Sequence, residues 1–167
     1  MDLTKISAGR YDLQRLPLDA GGSMWRAREN YLAKAAAKDI TINADSCPAG
    51  LMAMADENVL GGMINALLDN AVTFTQRGGR IVLAAAILDG QVRLCISDNG
   101  PGVAAADLNR ILQPFEHAGK VADHAKGAGL GLTLVRAFAE LHGGQFSVES
   151  ISGEGFTAII TLPAGWS

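Results

Sequence analysis

Two glycine-rich stretches contain residues whose types and spacing could do chemistry. In "SDNGPGV" the carboxylate of Asp98 stands directly before a turn that contains Gly100 and Gly102; alone, such a run is usually only a turn. "KGAGLGLTLV" opens a predicted helix with glycines at 127, 129 and 131, and the free amides and dipole of a helix start favour an anion. The third glycine comes too soon for the dinucleotide-binding fingerprint. Glycines that only permit close helix packing are the alternative.

The segment "INALLDNAVTFT" adds an asparagine at the edge of an apolar helix face. Counting about 100° per residue from Asn70, the apolar side chains fall on one continuous face: Leu60, Met63, Ile64, Leu67, Ala71 and Phe74. Asn65 falls away from that face, where we expect it in solvent. Gly62, Ala66 and Thr73 are small and lie on the other side of Asn70, where a ligand could approach. A boundary asparagine satisfied by a neighbouring backbone group is the alternative.

The composition narrows the function classes. A chain of 167 residues with 49% apolar residues fits one domain with a real core. The net charge of -3 and the scattered lysines and arginines predict no nucleic-acid partner. Cys47 and Cys95 have no zinc or disulfide spacing, which fits a reducing cytoplasm. We find no signal peptide and no apolar run of the ~18 residues that a membrane span needs.

The elements that must position these residues follow from periodicity and turn signals. A helix tail at 2–7 precedes a polar and apolar alternation at 10–19 that is typical of an edge strand. Asp89-Gly90 between two apolar runs predicts a hairpin. The order predicts a layered α/β sandwich with helices on one face of a mixed sheet. The predicted helices are 20–38, 56–75 with Asp56 as N-cap, 104–112 and 130–141; the predicted strands are 40–43, 51–54, 80–88, 91–97, 145–150 and 156–162.

The order of these motifs resembles the catalytic ATP-binding domain of sensor histidine kinases, whose fold is shared with gyrase, Hsp90 and MutL ATPases. "NALLDNAVTFT" is similar to the family's Asn box, "SDNGPGV" and "KGAGLGLTLV" to its two glycine boxes, "ILQPFEHA" to its Phe box, and the chain's end to its C-terminal hairpin. The resemblance implies the Bergerat ATP-binding fold, a two-layer α/β (α+β) sandwich of a mixed, mainly antiparallel sheet and three helices. It also implies that residues 1–18 end a dimerisation helix and linker and that residues 19–167 form the catalytic domain.

The resemblance also implies roles for single residues. Asn70 would bind Mg²⁺, Asp98 would accept a hydrogen bond from the adenine amino group, and Phe74 would line the adenine pocket. Thr157 would hold the base through water. The stretch 116–126 would form a lid, anchored by Phe115. The remaining residues expected at the nucleotide form the turn beside the base or contact the phosphates: Gly100, Gly102, Lys126, Gly127, Gly129, Leu130, Gly131 and Leu132, with Lys120 as a further candidate. None of His117, His124 and His142 resembles a nucleophile; His142 matches a structural position.

Two departures from the family pattern leave alternatives open. Ala66 stands where histidine kinases carry an Asn or acidic residue, and Thr73 where they carry a basic one. The resemblance implies transfer of the γ-phosphate of Mg-ATP to a histidine outside this chain, with a homodimer and a response regulator or partner kinase. It implies a cytoplasmic domain, with any membrane anchor before Met1. A degenerate signalling module with weak or no nucleotide binding is the alternative; an ATPase clamp is disfavoured because Ala66 cannot act as a general base.

Overall fold

The computed structural model describes residues 12–102, 128–151 and 153–165. In chain order, its elements are β1 (Arg15–Asp19), α1 (Ala20–Ala36), β2 (Thr41–Ser46), β3 (Met52–Asp56), α2 (Glu57–Phe74), β4 (Arg80–Leu88), β5 (Gln91–Asp98), α3 (Ala128–Leu141), β6 (Gln145–Ile151) and β7 (Gly155–Pro163). The predicted helix tail at 2–7 and the predicted helix at 104–112 lie outside the described residues. Within the described ranges, no helix is long and apolar enough to span a bilayer.

A five-stranded sheet in the order β2-β4-β5-β7-β6 forms one layer of the domain. Only the pairing of β2 with β4 is parallel; the other three are antiparallel. The three described helices pack against one face of this sheet and enclose the apolar core. The predicted mixed, mainly antiparallel sandwich is therefore confirmed. A second, two-stranded sheet pairs β1 with β3, so Arg15–Asp19 is a strand that crosses the domain boundary predicted after residue 18.

Two aspartates begin the first two helices. The Gly22 N–H donates to Asp19 Oδ1 at 3.1 Å and starts α1. The Val59 N–H donates to Asp56 Oδ1 at 3.1 Å, which confirms the predicted N-cap of α2. Asp56 also accepts from the Gln14 N–H at 3.0 Å. Burial alone would raise the pKa of Asp56, but the hydrogen bonds from the backbone of Gln14, Val59 and Asn58, and nearby His142, together lower it.

Local turn chemistry defines the central hairpin. Asp89 and Gly90 have φ values of 53° and 75°, the left-handed conformation that a tight hairpin turn requires. The strands on either side therefore pair from Leu88 with Gln91 up to Ile81 with Asp98. The predicted hairpin is confirmed, and β5 extends by one residue to include Asp98.

Candidate functional site

Asp98 is the last residue of β5, the central strand of the sheet, and lies close to the end of α2. It pairs with Phe156 of β7, and its Oδ1 accepts the Gly100 N–H at 2.9 Å. Burial raises the pKa of the Asp98 carboxyl, although the N–H groups of Gly100 and Phe156 oppose the shift. A half-buried carboxylate with two of its acceptor positions free can accept a hydrogen bond from a polar ligand edge.

The turn after Asp98 is tightly packed at Gly100 and leaves no room for a side chain at Gly102. A Cβ atom on Gly100 would lie 3.0 Å from Asp98 Oδ1 and 3.1 Å from the Phe74 carbonyl oxygen. Gly102 has a φ of 68°, and a Cβ there would collide with the carbonyl oxygens of Ile151 and Gly155. The two glycines therefore bring Asp98 against the end of α2 on one side and against the last hairpin on the other.

The surface of α2 that carries Asn70 is open. Asn70 and Ala66 are half-buried, and Gly62 is exposed. Within the described parts of the chain, a Cβ on Gly62 would meet no atom within 4 Å, and no group hydrogen-bonds to the Asn70 amide. Phe74, one turn further along, leaves 41% of its surface exposed. An amide oxygen beside open space and next to an exposed ring fits a hard cation accompanied by an organic ligand.

Asn65 is only partly exposed, whereas the helix count predicted it in solvent. It is half-buried, and its Oδ1 accepts the Asn30 Nδ2 hydrogen at 3.4 Å. One turn later, Lys34 Nζ forms an ion pair with Asp69 Oδ1 at 2.7 Å. Both contacts come from α1, which packs on the side of α2 that the sequence left unassigned. Asn65 therefore belongs to the α1–α2 interface and remains separate from Asn70.

Thr157 is not brought together with Asp98, contrary to the role expected for it. Thr157 pairs with Ser97, and the two hydroxyl oxygens lie 3.0 Å apart. Because neighbouring residues of a strand point to opposite faces, Ser97 and Thr157 share the sheet face opposite Asp98. The residue of β7 on the Asp98 side is Phe156, which is buried. Thr157 is therefore left out of the candidate site.

The second glycine motif lies at the first turn of α3. The helix begins at Ala128, two residues before the predicted start, so Gly129, Leu130 and Gly131 fall within its first four residues. The N–H groups at those positions have no partner within a helix and can bind an anion. The Leu132 side chain is 2% exposed and belongs to the core, so only its backbone could face a ligand. Lys126, Gly127, Lys120, Phe115, His117, His124 and the expected lid at 116–126 lie outside the described residues.

Two features at the end of α2 went unnoticed in the sequence. Thr75 is 1% exposed, and its Oγ1 is the one buried side-chain polar atom in the described ranges without a hydrogen-bond partner. The only sequence signal for it was a hydroxyl residue directly after a helix. Lys38, at the end of α1, donates to the carbonyl oxygens of Val72 at 2.8 Å and Thr73 at 3.1 Å. No periodicity reports such a contact, because it joins two helices.

His142 is a structural residue in this fold. Its side chain is fully buried; Nδ1 lies 2.7 Å from the Phe138 carbonyl, and Nε2 accepts the Asp56 N–H at 3.2 Å. Since a carbonyl only accepts, Nδ1 carries the proton and both ring nitrogens are used. Burial lowers the pKa of His142, although the Phe138 carbonyl opposes the shift. The imidazole is therefore held neutral and is closed to a substrate.

The described residues contain no cluster of three or more His, Cys, Asp and Glu side chains that could hold a metal ion. The Asn70 amide offers one oxygen to a divalent cation, which oxygens of a ligand and of water could complete. This is the chemistry that Mg²⁺ uses when it is bound by one or two protein groups together with phosphates and water.

Comparisons with known proteins show the family to which the chain is similar. The family described as histidine kinase-, DNA gyrase B- and HSP90-like ATPase matches residues 55–165. The histidine protein kinase DivJ of Caulobacter vibrioides is 37% identical over 163 residues, which cover 98% of this chain and 27% of DivJ. The alginate biosynthesis sensor protein KinB of Pseudomonas aeruginosa is 29% identical over 165 residues, which cover 97% of this chain and 27% of KinB. The chain thus spans about a quarter of the length of these relatives.

Solved structures share the fold. Full-length ShkA in complex with AMPPNP superposes with a TM-score of 0.82 at 28% identity, over 98% of this chain and 34% of ShkA. The catalytic domain of the histidine kinase ThkA superposes with a TM-score of 0.77 at 21% identity, over 90% of this chain and 96% of ThkA.

Proposed function

The chain belongs to the histidine kinase-, DNA gyrase B- and HSP90-like ATPase family, and we propose that it binds Mg-ATP and transfers the γ-phosphate to a histidine on a dimerisation helix outside this chain. In this proposal it is the catalytic domain of a two-component sensor kinase. The full-length protein would be a homodimer that acts in the cytoplasm and passes the phosphoryl group to a response regulator or a partner kinase.

One observation carries the proposal: the half-buried Asp98 carboxylate and the backbone at the end of α2 both border Gly100, and the Phe74 ring at that end of the helix is exposed. Gly100 lies against both Asp98 Oδ1 and the Phe74 carbonyl, so the strand and the helix meet without a side chain between them. An adenine ring could pack on Phe74 while its amino group donates to Asp98. The Asn70 face of α2 continues from this point toward the phosphates.

The residues present also fit a bound magnesium ion. Asn70 offers an amide oxygen that no described group occupies, and Gly62 and Ala66 leave room for phosphates and water. When bound, Mg²⁺ would neutralise charge on the β- and γ-phosphates. The backbone amides at the start of α3 would hold phosphate oxygens. Phosphoryl transfer needs chiefly such positioning and charge stabilisation.

Titration with a non-hydrolysable ATP analogue, with and without Mg²⁺, tests the binding step. We expect Mg²⁺-dependent binding that Asp98→Asn abolishes and that Asp89→Asn, a matched change in the exposed hairpin turn, leaves intact. No detectable binding of the wild-type chain at millimolar ligand would overturn the proposal. Transfer of labelled phosphate to the matching dimerisation helix, added as a separate polypeptide, then tests the chemistry.

A degenerate domain that acts as a signalling and protein-interaction module is the second candidate. The observation in its favour is the absence of a charged or amide side chain at Ala66 and Thr73, on the face of α2 where phosphates would lie. Loss of one cation beside ATP would weaken binding by about 1 to 3 kcal/mol in a partly buried site. Weak or undetectable binding of the ATP analogue by the wild-type chain would favour this second candidate.

A further inference from the structure

We propose that Thr75 is a positioning residue of the nucleotide pocket, whose hydroxyl holds a buried water molecule that bridges to the Asp98 carboxylate and the adenine ring. The inference rests on the proposed function and names a residue that neither the family resemblance nor the motif pattern assigns. It gives Thr75 the water-mediated contact that the sequence had assigned to Thr157.

The Thr75 hydroxyl is buried and unsatisfied within the described parts of the chain. Thr75 directly follows α2 and is 1% exposed. Its backbone N–H donates to the Ala71 carbonyl at 2.9 Å, but Oγ1 has no partner in the described parts of the chain. Buried polar side-chain atoms nearly always have a partner, in the protein or in ordered water. An unpartnered hydroxyl therefore indicates a group that is completed by something the polypeptide does not supply.

Thr75 and Asp98 lie close together at Gly100. A Cβ atom on Gly100 would lie 3.0 Å from Asp98 Oδ1 and 3.3 Å from Thr75 Cα, so both residues border the same point. The methyl group of Thr75 faces Gly79, where a Cβ would collide with it. Thr75 is thus buried between Gly79 and Gly100, directly beside the turn that follows Asp98.

A water molecule is needed because the Thr75 hydroxyl is buried. At 1% exposure the hydroxyl is too deep to reach a base that packs on the exposed Phe74 ring. A buried water needs two to four polar partners. Here the candidates are Thr75 Oγ1, the Asp98 carboxylate and a ring nitrogen of the base. Within the described residues, the donors to the Asp98 carboxylate are the N–H groups of Gly100 and Phe156, which leaves the carboxylate further acceptor positions.

Thr157 cannot take this role, because its hydroxyl pairs with Ser97 on the opposite sheet face. The two threonines therefore make opposite predictions. Removing the Thr75 hydroxyl should weaken nucleotide binding without destabilising the fold, because no protein group loses a partner. Removing the Thr157 hydroxyl should leave nucleotide binding unchanged.

The test uses Thr75→Val, which keeps the shape of the side chain, with Thr75→Ser and Thr157→Val as matched variants. Affinity for a non-hydrolysable ATP analogue with Mg²⁺ is measured by calorimetry, and stability by urea denaturation. We expect Thr75→Val to lose about five- to tenfold in affinity, the value of one hydrogen bond, with an unchanged or raised denaturation midpoint. Thr75→Ser should bind as the wild type does.

Each other outcome overturns the inference. If Thr75→Val binds as tightly as the wild type, the hydroxyl has no part in binding. If Thr75→Val is destabilised or unfolded, the hydroxyl is needed by the polypeptide itself and its role is structural. If wild-type and all variants fail to bind the analogue, the proposed function falls, and the inference falls with it; binding by wild-type together with an unaffected Thr75→Val sinks the inference alone.

Discussion

The backbone N–H of Asp56 donates to Nε2 of His142 at 3.2 Å and joins the start of α2 to the end of α3. The same imidazole uses Nδ1 on the Phe138 carbonyl at 2.7 Å. A single buried side chain thus links the helix that carries Asn70 to the helix that carries the second glycine motif. Its neutral form is required, because a protonated Nε2 could not accept from Asp56.

The first prediction is a loss of stability on mild acidification. Burial lowers the pKa of His142 from 6.5. At a pH between the lowered pKa and 6.5, His142 is therefore protonated in the unfolded chain and neutral in the folded chain. The free energy of unfolding should therefore fall as pH drops below about 6.5 toward the lowered pKa. Urea denaturation at several pH values measures it.

The control for this prediction is His142→Phe, which should be less stable at pH 7 and should lose this pH dependence. Asp56 does not confuse the test, because its lowered pKa affects stability only below the usual 3.8 of an aspartate. An unchanged slope between pH 5 and pH 6.5 in His142→Phe would refute the assignment.

The second prediction concerns nucleotide affinity and pH. The adenine amino group needs the ionised form of Asp98 as acceptor, and burial raises the pKa of this carboxyl above 3.8. As pH falls, affinity for the ATP analogue should therefore decline at a higher pH than an ordinary aspartate would produce. Asp98→Asn should show no detectable binding at any pH in that range. Asp89→Asn should retain the wild-type profile; a flat wild-type profile would contradict the role of Asp98.

The third prediction is a gain of function from Thr73→Lys. Thr73 is exposed on the Asn70 side of α2, so a lysine there would meet phosphate oxygens without having to be buried. We expect affinity for the Mg-bound ATP analogue to rise ten- to hundredfold, or about 1 to 3 kcal/mol. Gln91→Lys adds the same charge at the exposed start of β5 and should leave affinity unchanged. Equal effects of the two lysines would indicate only a change in net charge.

The fourth prediction compares the contributions to stability of Lys34, in α1, and Lys38, just after that helix. Lys38 donates to two carbonyls at the end of α2, a helix with no basic residue in its last turn. Lys38→Met should therefore lower the free energy of unfolding by about 1 to 2 kcal/mol. Lys34→Met removes only an exposed pair with Asp69, whose side chains are 53% and 44% exposed, and should cost about 0.5 kcal/mol or less. Urea denaturation of both variants decides whether the difference exists.

Residues that act on their immediate neighbours were predictable from sequence. Asp89-Gly90 adopts the left-handed turn expected of it, and Asp56 caps α2 through the Val59 N–H. Gly102 takes the positive φ that a glycine in such a turn permits. In each case the controlling interaction spans a few residues, so the order of residue types contains it.

Residues whose roles depend on a distant partner were not predictable. The count around α2 placed Asn65 in solvent because the sequence does not say that α1 covers that side. The resemblance assigned Thr157 to the pocket, but the register of β5 with β7 turns its hydroxyl toward Ser97. The parallel pairing of β2 with β4 joins strands that are about 40 residues apart, and no local signal reports it.

The sequence by itself determined the helices and strands that the structure describes, together with the asparagine and glycine motifs and their order, because helix caps, turns and apolar periods are local properties of the chain. Only the tertiary structure decided which side chains meet. It placed Asp98 against the end of α2 through Gly100, excluded Thr157, and left the Thr75 hydroxyl buried without a described partner. The physical reason is that strand register and helix packing set the face on which each side chain lies. A shift of one residue in register would have exchanged the two faces.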